Sequence, residues 1–109
     1  MKPPTGNLFA SIPEHMPSEL SAILQASNGV EIERIVSRGQ CSPDGFWYDQ
    51  ERAEWVVIIS GAAHLEFDDG SISEMSTGDY VNIPAHCRHR VTWTDPNQDT
   101  IWLAVHYEG

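Results

Sequence analysis

One carboxylate and one histidine stand out by their spacing from glycines. Glu54 is followed by six residues and then Gly61. Gly78 is followed by five residues, Pro84, four more residues and then His89. An imidazole titrates near neutrality, so it can take or give a proton at physiological pH. A carboxylate beside it can orient it, charge-pair with it, or join it as a metal donor. Tyr48, Gln50 and Glu54 are separated by even numbers. An extended chain therefore puts them on one face and turns Asp49 away. His106 brings a second imidazole if its side chain points inward, which spacing alone does not decide. Trp47, Tyr48, Trp93 and Trp102 are expected to line a pocket for a small molecule.

Short strands must position these groups. Trp55-Val56-Val57-Ile58-Ile59 is apolar throughout, so both faces of that strand should be covered, one by the core and one by the N-terminal segment or a second subunit. Val30 to Ser37 reads as the first strand, with a bulge permitted at Arg34-Ile35 where the alternation shifts. Asp68-Asp69-Gly70-Ser71, Ser76-Thr77-Gly78-Asp79 and Asp95-Pro96-Asn97-Gln98 are turn signals. Thr100 to Tyr107 closes the sheet. Strands of this length and spacing predict an antiparallel sandwich or barrel. Before them, Leu20, Ile23 and Leu24 stand at i, i+3, i+4, and Asn28-Gly29 follows as a stop, so Ser18 to Ser27 is expected to form a short helix. The chain thus divides into an N-terminal extension, 1–29, and a β-barrel, 30–109.

At Glu54, Gly61, Gly78, Pro84 and His89 the chain resembles the cupin superfamily of small jelly-roll β-barrels. The second half of one cupin motif (glutamate, six residues, glycine) is met, and so is the register of the other (glycine, five residues, proline, then histidine). The 16 residues between Gly61 and Gly78 form a short connection of the kind found in small bacterial cupins. There are departures. His86 stands at the second motif's inner glycine and Trp93 at its asparagine. The two histidines of the first motif are absent: their places fall on Tyr48 and Gln50, or on Trp47 and Asp49 with a longer spacer. His86 is expected in a loop at the barrel mouth, and His64 on the surface.

The resemblance implies a pocket inside the barrel and leaves three chemistries open. Glu54, His89 and His106 could hold a divalent metal (iron, manganese, nickel or zinc) with open positions. Without metal, His89 would be a base, Glu54 its partner and Tyr48 the acid, as in cupin-like sugar epimerases. Otherwise the chain would be a binding or sensor protein without catalysis. A homodimer is expected, from the doubly apolar strand and from the resemblance.

The formal net charge of −10 repels phosphate backbones and anionic membrane surfaces, so neither nucleic acid nor membrane is an expected partner. No apolar run approaches a spanning length, and the first residues show no secretory h-region. Cys41 and Cys87 are too few for a disulfide framework and are expected as reduced thiols in a cytoplasmic protein.

Overall fold

The computed structural model of the protein describes residues 1–108. Eight strands form: β1 Leu20–Ser27, β2 Val30–Ser37, β3 Ala53–Ser60, β4 Ala62–Phe67, β5 Ile72–Ser76, β6 Tyr80–Ile83, β7 His89–Thr94 and β8 Thr100–Tyr107. A five-stranded sheet in the order β1-β2-β8-β3-β6 faces a three-stranded sheet in the order β5-β4-β7. Every pairing is antiparallel. The two inner faces bury Val56, Ile58, Ala63, Leu65, Met75, Ile83, Trp102 and Ala104. This all-β jelly-roll barrel is the architecture expected from the strand pattern.

The expected N-terminal helix is instead strand β1. It pairs with β2 across the two-residue connection Asn28-Gly29, with Gly29 at φ 75°. Asn-Gly is a strong hairpin signal as well as a helix stop. A register shift leaves Leu24 as an extra residue between Ile23 and Gln25. That bulge breaks strict alternation and so imitates helical spacing. The bulge considered at Arg34-Ile35 is absent, and β2 pairs with β8 without a shift.

A second apolar cluster lies outside the larger sheet. Met16, Val36 and Ile101 are buried there, with Ile12, Leu20 and Ile59 packed against them. The N-terminal segment forms this layer. The guanidinium of Arg34 donates to the carbonyls of Leu8 (3.2 Å) and Ala10 (2.6 Å) and ties the segment down. One half of the requirement for covering both faces of β3 is thereby met within the chain.

The long connection between β2 and β3 is bound to the smaller sheet. Tyr48 and His89 exchange backbone hydrogen bonds of 2.7 and 3.1 Å, Ser42 N–H donates to Val91 O at 2.8 Å, and the Thr94 hydroxyl donates to Gln40 O at 2.6 Å. The turns at Asp68–Ser71, Ser76–Asp79 and Asp95–Gln98 join β4 to β5, β5 to β6 and β7 to β8 as expected.

Gly61 turns the chain from β3 into β4 at φ 109°, and a Cβ there would lie 2.6 Å from Thr100 Cα and 2.9 Å from Asp99 O. Both the backbone conformation and the space exclude a side chain. Gly61→Ala is expected to destabilise the fold by about 2–4 kcal/mol, measured by urea denaturation. A loss below about 0.5 kcal/mol would show that the corner relaxes freely.

Candidate active site

The barrel interior holds a cavity of about 260 Å³. Its apolar floor includes Val56, Leu65, Ile83 and Trp102, and its polar lining includes Glu19, Glu33, Tyr48, Gln50, Glu54, His89 and His106. Tyr48, Gln50 and Glu54 all line this cavity, but not as one face of a strand: Tyr48 bridges to His89 in the smaller sheet, the chain bends at Glu51-Arg52, and Glu54 stands on β3 of the larger sheet. Asp49 turns away and meets His86 Nδ1 at 2.8 Å.

Glu54 and His89 come from opposite sheets and meet inside, with His89 Nε2 3.7 Å from Glu54 Oε1. Both are buried, at 8% and 5% exposure. His89 Nδ1 lies 2.9 Å from the Cys87 carbonyl. A carbonyl only accepts, so Nδ1 carries the proton, and the neutral ring keeps its lone pair on Nε2. Tyr48 stacks on His89 with ring centroids 5.3 Å apart and planes at 23°. The phenol therefore stands beside the imidazole on one wall rather than across the cavity from it.

His106 points inward. It is the cross-strand partner of Glu54 on β3, and its Nε2 lies 3.0 Å from Glu33 Oε1. Glu33 thus joins the site although the sequence reading did not single it out, and so does Glu19, just before β1, whose Oε2 accepts from the Ser37 hydroxyl at 2.8 Å. Parity could have linked Glu33 to Ile35, which also lines the cavity. Both faces of this sheet carry apolar residues, however, so parity does not say which face is the pocket.

Two expected pocket aromatics lie elsewhere. β4 pairs with β7 through a register shift in which His64 opposes Trp93 and Leu65 opposes Val91, leaving Thr92 as the extra residue. The bulge turns Trp93 outward onto His64, with ring centroids 4.7 Å apart, while Thr94 is buried. Trp47 packs beneath the guanidinium groups of Arg88 and Arg90, 5.5 and 5.9 Å from its ring centroid. Trp102 does line the cavity, and its indole N–H donates to the Ser37 hydroxyl at 3.2 Å. His86, at the inner glycine position of the motif, adopts φ 61°, the left-handed conformation that glycine would accept without strain. Cys41 and Cys87 are free thiols.

The three expected metal donors, Glu54, His89 and His106, line one cavity. Glu33 nevertheless engages the Nε2 of His106, and among the described residues no three His, Cys, Asp or Glu side chains are gathered around one point as ligands. The donor set as arranged does not fit an ion, and the chemistry below uses no step through one.

Burial pushes the Glu54 carboxyl above its ordinary value; His106 and His89 oppose the shift and Glu33 adds to it. Burial, then the nearby carboxylates Glu19, Glu54 and Glu33, push the Tyr48 phenol up, so it remains a neutral donor. Between 4.5 and its raised value, the folded chain holds the Glu54 proton more tightly than the unfolded chain does. This contribution to stability is present at low pH and lost as pH rises through the folded value. Glu54→Gln, which removes the buried charge, is therefore expected to leave the fold as stable or stabilise it by about 0.5–2 kcal/mol at pH 8. The gain should shrink toward pH 5 in parallel thermal melts. A destabilised variant at pH 8 would make the Glu54–His89 pair a structural ion pair.

The family whose profile is described as "Cupin domain" matches residues 38–106. A "putative mannose-6-phosphate isomerase" from Ralstonia eutropha JMP134 superposes with a TM-score of 0.94 at 48% identity, covering 98% of this chain and 100% of the other. A cupin superfamily protein from Desulfitobacterium hafniense DCB-2 superposes at 0.73 with 19% identity, covering 90% of this chain and 84% of that one. An RmlC-like cupin from Desulfovibrio desulfuricans gives 0.76 at 16% identity and 95% of each chain; these two likenesses concern the fold alone. No curated protein matches the chain. The profile covers well over half of the chain and falls on the strands that carry Glu54, His89 and His106, so this protein belongs to the cupin family.

Proposed function

We propose that the barrel is a metal-free acid–base site that isomerises or epimerises a small α-hydroxy carbonyl compound. The observation that carries this reading is the His89 imidazole, with Nδ1–H held by a backbone carbonyl and Nε2 facing a buried carboxylate at the cavity wall. In the reaction, Nε2 takes the proton from the carbon next to the carbonyl. The C–H electron pair forms the enediol double bond, and the carbonyl pair moves to oxygen. The Tyr48 hydroxyl, kept protonated by its surroundings, donates a hydrogen bond to that oxygen. Glu54 balances the imidazolium, which then returns the proton to the neighbouring carbon, while the hydroxyl on the first carbon passes its proton to the enediolate oxygen and its O–H electron pair forms the new carbonyl. Epimerisation instead needs a second acid to protonate the opposite face of the first carbon. The His106–Glu33 pair supplies the second proton-carrying group. The 48% identical neighbour bears a provisional isomerase name, and aldose–ketose isomerisation is this kind of proton transfer.

Incubation in D2O with mannose, fructose or mannose 6-phosphate, followed by proton NMR, reads exchange at the carbon beside the carbonyl without requiring net turnover. Exchange catalysed by wild type should fall about 10²-fold or more in His89→Gln, and about 10²-fold in Tyr48→Phe. Exchange that persists in His89→Gln, or exchange with none of these sugars nor with the amino sugar glucosamine, would remove the acid–base reading and favour a binding protein.

The chain is also proposed to pair with a second copy. The N-terminal layer covers Ile59 but leaves Trp55, Val57, Leu103 and Val105 half-exposed on the outside of the larger sheet. Beside them Tyr80 is 67% exposed and lies against Trp55, with ring centroids 5.5 Å apart. Such an apolar face fits a second subunit. Light scattering should give twice 12.2 kDa, and Tyr80→Glu should lower the mass toward the single chain. A wild-type monomer at micromolar concentration would overturn the pairing.

A further inference from the structure

The charges around the cavity select its ligand. Glu19, Glu33 and Glu54 line it with His89 and His106, and no lysine or arginine does. Even with both imidazoles protonated, one carboxylate is left uncompensated. Glu54 is buried, faces the cavity, and accepts no hydrogen bond from a described residue; the one titratable neighbour described within 4.0 Å is the His89 imidazole, at 3.7 Å. A carboxylate set in a buried position and aimed into the cavity is suited to accept from a donor on the ligand.

The approach to the cavity has the same sign. A depression that shares Glu33, Gln50 and His106 with the cavity is also lined by Glu31, Glu51 and Glu108. Its single cation, Arg52, is tied to Glu31. A cleft lined by one sign of charge concentrates the opposite sign at its mouth. A phosphate dianion would meet three carboxylates inside and three more at the rim, with no free guanidinium or ammonium to receive it.

We propose that the ligand of this cavity is a small polar molecule carrying a protonated amine, and that phosphate esters are excluded. The ammonium sits among Glu54, Glu33 and Glu19, and the uncharged remainder lies against the Tyr48 and Trp102 rings. The proposal rests on the small-molecule reading of the cavity given above and narrows it. It also separates this chain from the phosphate ester in the neighbour's provisional name.

Three probes of one ring size isolate charge: glucosamine, glucose and glucose 6-phosphate. Binding is followed by isothermal titration and by proton–nitrogen NMR of the full chain, with EDTA present throughout so that no ion occupies the carboxylates. Glucosamine should bind at least 10-fold more tightly than glucose, with shifts at residues lining the cavity, and glucose 6-phosphate should not bind. Glu33→Gln and, separately, Glu19→Gln should each reduce that preference 3-fold or more, with circular dichroism reporting an intact fold. Equal affinities for the three probes, tighter binding of the phosphate ester, or no binding of glucosamine would each overturn the proposal. Because binding is read without turnover, a loss of catalysed exchange in the preceding experiment leaves this result standing, and the two failures are distinguishable.

Discussion

The structure is built around taking one carboxylate out of water. Desolvation of Glu54 disfavours its charge, and the barrel tolerates this because two imidazoles lie close enough to compensate. Each imidazole is itself held by a second group, His89 by the Cys87 carbonyl and His106 by Glu33. The result is two anchored imidazoles, one from each sheet, with the Glu54 carboxylate close to both. Remove the cover above and below it, and the same residues become ordinary solvated side chains with ordinary proton affinities.

Covering the pair takes both layers of the fold. The smaller sheet contributes His89 and the Tyr48 ring stacked upon it, and the larger sheet contributes Glu54, Glu33 and His106. The corner at Gly61 carries the chain from one sheet to the other in a space that admits no Cβ. The N-terminal segment seals part of the back of the larger sheet through Arg34 and Met16, so that the inner face need not also hold that layer together. Fold and site therefore share the same constraint, since the strands that bury the core also bury the charges.

Much of this was legible in the residues. Glycines marked the turns, because a tight turn restricts which residue can occupy it, and the resemblance to the cupin motifs marked Glu54 and His89. Tyr48, Gln50 and Glu54 do line one cavity, but the bends at Glu51-Arg52, not alternation along one strand, bring them there. What escaped were the places where one extra residue offsets alternation. Leu24 made β1 look helical, and Thr92 sent Trp93 to the outside. Glu33 escaped for a different reason. On a sheet with apolar residues on both faces, a polar residue at alternate positions reads as solvent-facing whether it faces water or a polar cavity. Trp47 was drawn away by two arginines that come beside it only in the folded chain.

The binding of the β2–β3 connection to the smaller sheet has a consequence for traffic. Reciprocal backbone bonds between Tyr48 and His89, with those at Ser42 and Gln40, make this segment function as an added strand. Swinging it open would break several ladder bonds and unstack Tyr48 from His89, so it is poorly suited to act as a lid. The depression that shares Gln50 and His106 with the cavity offers a way in that needs no such opening. Exchange through such a fixed doorway is governed by the charge and breadth of the visitor, and release need not wait for a loop to move.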